Sequence, residues 1–430
     1  MTTAELPEVR RPTWAWVPPL LIMVLAAAPL VAHWLTNPDD QRLVDLDVYR
    51  TGGQSILEGL PVYDMITPAP QLLPFTYPPI AALLAVPLAK MSWPVAQWVW
   101  TAGVFLVLAV TVWYAFRESL ESLAGRGRPW ATWAPMAFGG LAAACAYLMP
   151  VRDQVRFGQV DVLLVMLCLI DCTARRPWWP RGMLIGLATA IKLTPGVFLI
   201  YLLITGFGPN ASRDQRRTFG MAAFTTALLT LLPFLVIPKD STRFWFSALF
   251  DADRLGSNTG TTNQSMRGML LRLYLPDALT TVLWLTLVAV VAWCGFRWAR
   301  RAFIDGDAMT GVALTGLMAV LLSPVAWIHH LAWVVVVIGA LAGTGRDRVR
   351  LLIAAGVFAY YVLPIPWWGV SLRAAEIPIV SPVVGRIVQD AFGLGALALV
   401  WLLGPWLRDR TLRHDRAAWR PPDGSRVTNR

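Results

Sequence analysis

Apolar stretches recur along the whole 430-residue chain, most of them closed by arginines at one end and by acids, amides or prolines at the other. Stretches at 14–34, 93–116, 130–149, 160–173, 219–237, 278–296, 308–322, 331–342, 351–363 and 391–407 each read as a transmembrane helix, since about 20 helical residues cross the hydrocarbon core. The stretch 182–204 differs. It carries Lys192 near its middle, Pro195 just after, and basic clusters on both flanks. It predicts two short helices meeting at Lys192-Leu193-Thr194-Pro195, a break tolerated where the backbone lines a polar cavity. The expectation is therefore an all-α polytopic integral membrane protein of about twelve transmembrane helices. Residues 1–430 form a single domain, with 1–13 and 408–430 as cytoplasmic tails.

Charge orients this pattern. Arg10 and Arg11 precede the first stretch, and later clusters stand at Arg117, Arg126 and Arg128, at Arg175, Arg176 and Arg181, and at Arg213, Arg216 and Arg217. Three more follow at Arg297, Arg300 and Arg301, at Arg346, Arg348 and Arg350, and at Arg408, Arg410, Arg413 and Arg416. Alternating spans put every cluster inside, as positive short loops require. The opposite loop, 38–64, carries Asp39, Asp40, Asp45, Asp47, Glu58 and Asp64 against Arg42 and Arg50, which suits an external face. Within it 53–60 reads as an amphipathic interfacial helix, and 77–89 as a second one that dips in and returns. Residues 150–159, 238–277 and those after 363 read as outer loops.

Composition agrees: 56% of residues are hydrophobic and 15% charged, against about 25% charged in soluble chains. The net charge of +11 needs no nucleic-acid partner, because it sits in the short inner loops. Three lysines beside abundant arginine, alanine and tryptophan point to a GC-rich bacterial genome. The four cysteines (Cys145, Cys168, Cys172 and Cys294) lie in apolar stretches and read as small buried hydrophobes. They offer neither a disulfide framework nor a metal spacing, so no metal and no cofactor is expected. No repeat period suggests a solenoid.

The polar residues that this topology gathers at the outer helix ends are the candidate site. Acids at a membrane boundary are costly unless a partner or a task compensates. Asp45 and Asp47 either solvate a loop or supply a general base, for which a carboxylate beside lipid has its pKa raised into a useful range. His329 and His330 either pack at the interface with Trp327 and Trp333 or help to position a phosphate. Lys192 either pairs with an acid such as Asp161 or holds a lipid-linked phosphate, with Arg152, Arg156 or Arg267 as further candidates for that phosphate. The amide-rich and hydroxyl-rich run 257–265 is a solvated loop or a surface for a polyhydroxylated ligand, with Phe244, Trp245 and Phe246 nearby.

These residues carry a resemblance. The run Val44-Asp45-Leu46-Asp47-Val48-Tyr49, then Gly59-Leu60-Pro61-Val62-Tyr63-Asp64 and Phe75-Thr76-Tyr77-Pro78-Pro79, resemble the opening of the actinobacterial polyprenol-phosphate-mannose-dependent α-(1→2)-mannosyltransferases of glycosyltransferase family 87. So do Phe157-Gly158-Gln159-Val160-Asp161, Ile191-Lys192-Leu193-Thr194-Pro195, Asn263-Gln264-Ser265 and the run from Ser323-Pro324 to His329-His330-Leu331-Ala332-Trp333. The resemblance implies a GT-C membrane fold with juxtamembrane helices and an extracytoplasmic site in the plasma membrane. It implies a β-linked polyprenyl phosphate mannose donor, inverting transfer, and a glycolipid acceptor, a phosphatidylinositol mannoside, lipomannan or lipoarabinomannan. Asp45 fills the position of the family's catalytic Asp and Asp47 a free position. Tyr49, Tyr77, Gln159, Asp161, Asn263 and Gln264 would touch substrate, and His329 and His330 would assist. The competing readings are a transferase using another polyprenyl-phosphate sugar such as arabinose, a lipid or sugar transporter, which would show paired repeats, and a structural membrane subunit.

Overall fold

The computed structural model describes residues 16–38, 42–251, 254 and 256–411. Arg10, Arg11, Asp39, Asp40, Arg413 and Arg416, and with them most of the expected tails, lie outside the described residues. The chain is helical throughout. Two isolated bridges, Ile66 with Pro74 and Asn263 with Trp327, are the extended pairings given among the described residues.

Among the described residues, five helices are long and apolar enough to cross a membrane: Val17–Trp34, Trp93–Ala115, Arg213–Val236, Asp277–Ile304 and Ala391–Thr411. Two bent pairs, Trp133–Ala146 with Met149–Phe157 and Arg348–Val362 with Ile365–Ala374, raise the number to seven if each counts as one span. The fold is that of a polytopic membrane protein. Other segments expected to cross are short: Asp161–Thr173 has 13 residues, Ala308–Leu321 has 14 and Val334–Ala342 has 9. These are the most enclosed helices, with every residue of Val334–Ala342 buried. A helix surrounded by protein does not have to match the bilayer thickness, because its ends are satisfied by neighbours rather than by water or headgroups.

The break at Lys192 forms as expected. Helix Met183–Ile191 stops there, a turn at Thr194–Gly196 follows, and helix Val197–Gly206 returns. Gly182, at the start of the first helix, lies against the backbone of Thr218, and Gly206, at the end of the second, accepts a 2.7 Å hydrogen bond from Arg216. Both ends thus meet the same end of the Arg213–Leu231 helix, so the pair is a hairpin with Lys192 at its tip.

Several expected loops are helices instead. Asp45 and Asp47 sit in the first turn of Val44–Glu58, not in a loop preceding a helix at 53–60. Residues 150–159 are mostly the helix Met149–Phe157. The segment 238–277, expected outside, contains Pro238–Phe246 and Met266–Leu271, and the basic segment after Phe116 contains Arg117–Ala124. The reason is common to all four. Each carries too many polar residues to look like a span, yet its apolar positions recur at helical spacing and meet the body of the protein. Pro79–Ala89 is the short second helix expected at 77–89.

The basic clusters come together at one end of the molecule. Arg117 donates to the Thr173 carbonyl (3.2 Å), Arg300 to that of Ile204 (3.0 Å), and Arg350 to those of Leu341 (2.9 Å) and Ala340 (2.7 Å). Arg410 grips Asp347 through two bonds of 2.7 and 2.9 Å. At the opposite end Asp240 accepts from the Val62 amide (2.8 Å), Arg254 donates to Tyr63 (3.0 Å) and Phe75 (3.2 Å), and Arg243 pairs with Asp64.

Candidate active site

The site is built where four breaks in the helical pattern converge at the end opposite the arginines. The Val44–Glu58 helix begins after Leu43, whose φ of 47° and ψ of 47° put it in the left-handed region. Its first turn is pressed against Gly158, which has φ +71°. A Cβ added at Gly158 would lie 2.8 Å from the Leu46 Cβ, so only glycine fits both the turn and the contact. This contact brings Gln159, 4% exposed, and Asp161, 6% exposed, beside Asp45.

Asp45 is half-buried and accepts a hydrogen bond from Gln159. Burial pushes its carboxyl up to about 7, against the lowering effect of the Gln159 amide and of Lys192, while Asp161 and Asp153 add to the rise. Asp47 lies two residues on, roughly 200° around the helix. It faces Arg50 and Thr51 instead.

Lys192, at the hairpin tip, donates to Asp161 Oδ1 at 2.7 Å and meets His330 Nε2 at 2.9 Å. Its ammonium also stands 5.4 Å from the Tyr77 ring centre. The pairing of Lys192 with Asp161 realises the structural alternative that the sequence offered. An ammonium has three N–H donors, and these two partners leave one for a ligand. His329 and His330 belong to the turn Ile328–Trp333, with ring centres 4.7 Å apart, and each places Nε2 3.9 Å from Asp161 Oδ2. The His329 backbone is tied by Gln154, whose amide donates to the His329 carbonyl at 2.8 Å. Ligand atoms of Asp161, His329 and His330 come within 4.8 Å of one another, a spread that a metal ion could also use. Here the Lys192 ammonium touches two of the three, so a positive charge is covalently built in. Asp161 Oδ2, His329 Nε2 and His330 Nδ1 have no hydrogen-bond partner among the described residues.

Not every residue expected at the site reaches it. Asn263 and Gln264 are fully buried, and their side chains serve the backbone. Asn263 donates to the Asn258 carbonyl (2.9 Å) and accepts from the Ser265 (3.2 Å) and Ala326 (3.0 Å) amides. Gln264 donates to Thr261 (2.6 Å) and Gln389 (3.0 Å) and accepts from Gly393 (2.9 Å). They hold the 257–265 loop against the helices Gly385–Gln389 and Ala391–Trp401 rather than face a ligand. Arg267 lies over the Trp284 ring (5.5 Å), and Arg156 over Phe157 (5.0 Å). Arg152 and Arg156 are exposed and flank Asp153 at the rim. The sequence reading did not foresee Gln154 as the tie to His329; nothing but its full burial distinguishes it. It also missed the buried pair of Arg272 with Asp390 (2.6 Å), which locks the same loop through the Gly260 carbonyl (2.8 Å).

Comparison with known proteins bears on what this arrangement does. The model described as Glycosyltransferase family 87 matches residues 75–324. A polyprenol-phosphate-mannose-dependent alpha-(1-2)-phosphatidylinositol mannoside mannosyltransferase of Mycolicibacterium smegmatis is 35% identical over 93% of this chain and 92% of its own. Its counterpart of the same name in Mycobacterium tuberculosis is 32% identical over 85% and 86%. A Mycobacterium tuberculosis protein named for phosphatidylinositol pentamannoside is 29% identical over 81% and 78%.

Proposed function

The chain belongs to glycosyltransferase family 87, and from that premise we propose that it is a membrane mannosyltransferase moving mannose from polyprenyl phosphate mannose to a phosphatidylinositol mannoside in α-(1→2) linkage. The observation that carries the reading is the coincidence of a proton acceptor and a fixed cation in one half-buried cluster, Asp45 beside Lys192, in a chain 35% identical to an enzyme named for this reaction. The relatives named for a phosphatidylinositol mannoside match at 35% and 32%, against 29% and 30% for those named for the pentamannoside, which favours the acceptor class of the first pair's name.

In the reaction the acceptor hydroxyl attacks C1 of the donor mannose from the face opposite the phosphate. The new C–O bond forms as the bond from C1 to the phosphate oxygen breaks, and a β-linked donor gives an α-linked product. The hydroxyl proton goes to Asp45, which is ionised above about pH 7. The leaving polyprenyl phosphate gains negative charge. Lys192, steadied by Asp161 and His330, stabilises it as a preorganised cation. Arg152 and Arg156 at the rim attract the phosphate before it docks. No cofactor enters this scheme, the GT-C architecture with about twelve crossings accommodates it, and the site faces the extracytoplasmic side of the plasma membrane.

Membranes containing the protein, given labelled polyprenyl phosphate mannose and phosphatidylinositol mannosides, should yield a product sensitive to α-(1→2)-mannosidase. Label arriving only from a polyprenyl phosphate arabinose would redirect the reading. Cysteines placed at Asp64 and Gly260 should react with an impermeant maleimide in intact spheroplasts, and one at Arg213 should not. The reverse pattern would refute the extracytoplasmic site.

A further inference from the structure

Gln159 carries more constraint than a substrate contact requires. Its amide oxygen accepts from the Tyr49 hydroxyl (3.1 Å) and the Tyr77 hydroxyl (3.2 Å), and these two hydroxyls are themselves 2.9 Å apart. The three oxygens form a closed triangle. Two hydroxyl protons serve its three edges, since each tyrosine donates once, so at least one proton always points at the amide oxygen. That oxygen is therefore fixed on the tyrosine side, which turns the amide NH2 the other way, where Asp45 accepts from it. A flipped amide would set its carbonyl oxygen against a carboxylate. The tyrosines are fixed in turn. Their rings meet edge to face at 5.1 Å, Tyr49 is buried, and Tyr77 also faces the Lys192 ammonium.

We propose that Gln159, locked by Tyr49 and Tyr77, is a positioning residue that holds the Asp45 carboxylate in its ionised, proton-accepting orientation. This rests on Asp45 being the base. Other titratable groups act on Asp45 as well: Asp153 from the Met149–Phe157 helix, Asp161 from the helix that follows, Lys192 from the hairpin tip, and the Tyr49 and Tyr77 hydroxyls. Gln159 carries no titratable group. It can therefore stabilise the charged carboxylate by direct donation without adding a second charge that would compete for the donor phosphate.

The test is the pH dependence of the transfer rate in the full-length protein. In the wild type the rate falls as pH drops through about 7, where Asp45 takes up a proton. Gln159→Leu removes a hydrogen bond to a charged group, so the acidic limb should move up by about one pH unit. Tyr49→Phe and Tyr77→Phe keep the rings and lose only the hydroxyls. They should shift the limb in the same direction by less, and they keep the test available if Gln159→Leu fails to fold. If Gln159 and the tyrosines instead touch sugar, KM rises with the limb unmoved, and the inference is overturned. A uniform loss of rate at every pH, with the limb unmoved, overturns it too. Both outcomes leave the base assignment standing if Asp45→Asn is dead, whereas an active Asp45→Asn removes the reading on which the inference rests.

Discussion

The two ends of the molecule are both rich in charge and use it in opposite ways. At the basic end the arginine heads are spent on the ends of helices. Arg117 meets the last carbonyl of Asp161–Thr173, Arg216 and Arg300 meet the last turn of Val197–Gly206, and Arg350 meets that of Val334–Ala342. Those carbonyls have no intrahelical partner, and a cation there also complements the helix dipole. At the other end Asp161 and His329 are buried and Lys192 and His330 half-buried, yet three polar atoms of this cluster have no hydrogen-bond partner among the described residues. Burying a polar atom unpaired is expensive. Arg117 Nε and Gln215 Oε1 lack a hydrogen-bond partner at the basic end too, but singly, whereas the other end gathers three such atoms in one cluster. Charge content alone does not separate the two ends; the clustering of unpartnered atoms does, and it suits that end to a ligand.

The comparison breaks first at Asp45. Asp45→Asn keeps the shape and hydrogen bonding of the side chain but removes its basicity, and should cost about 10²- to 10⁴-fold in rate. Asp47→Asn, on the far side of the helix, should stay within a few-fold of wild type. Turnover measured with saturating donor and acceptor checks both. Comparable loss in the two variants would erase the distinction between the faces of this helix.

The next effect concerns Lys192. Lys192→Met strands the Asp161 carboxylate in a buried site, which should destabilise the protein by about 3–5 kcal/mol. The double variant Lys192→Met with Asp161→Asn removes both charges and should recover much of that stability. It should not recover donor use, and its apparent donor KM should stay well above wild type. A double variant with normal donor affinity would reduce Lys192 to a structural counter-ion and bring its end of the molecule closer in kind to the basic one.

The smallest effect belongs to the basic end. Arg350→Ala removes two bonds to helix-end carbonyls and should lower stability by about 1–2 kcal/mol, read as a drop in melting temperature in detergent. The turnover of the folded fraction and the acidic limb of its pH profile should not change. A displaced limb would mean that the basic end tunes the site, contrary to this division.

Much of the site was legible in the sequence because its residues break local rules. A lysine in mid-span, two adjacent histidines at a helix start and an acid after a Gly-Gln pair stand out in an apolar chain. The expected pairing of Lys192 with Asp161 is met at 2.7 Å. Asn263 and Gln264 look as suited to a ligand as Gln159 does, because an amide in a polar loop carries no mark of what its hydrogen bonds reach. The helices at Val44–Glu58 and Met149–Phe157 were hidden for a related reason. Both are polar, and propensity is weak beside the tertiary contacts that make such helices form.

The sequence by itself determined the membrane class, the break at Lys192 and the grouping of the arginines at one end, since these follow from apolar length, proline and loop charge, which act locally along the chain. Only the tertiary structure decided that Asp45 and not Asp47 faces the cluster, that Gln159 turns its amide toward Asp45, and that Asn263 and Gln264 are spent on backbone. Those outcomes depend on which face of a helix meets a partner more than a hundred residues away, at Gly158 and Gln159 for the first two and at Gln389 and Gly393 for Gln264. Hydrogen bonds and close packing act over a few ångströms in space, and the linear pattern does not record that separation.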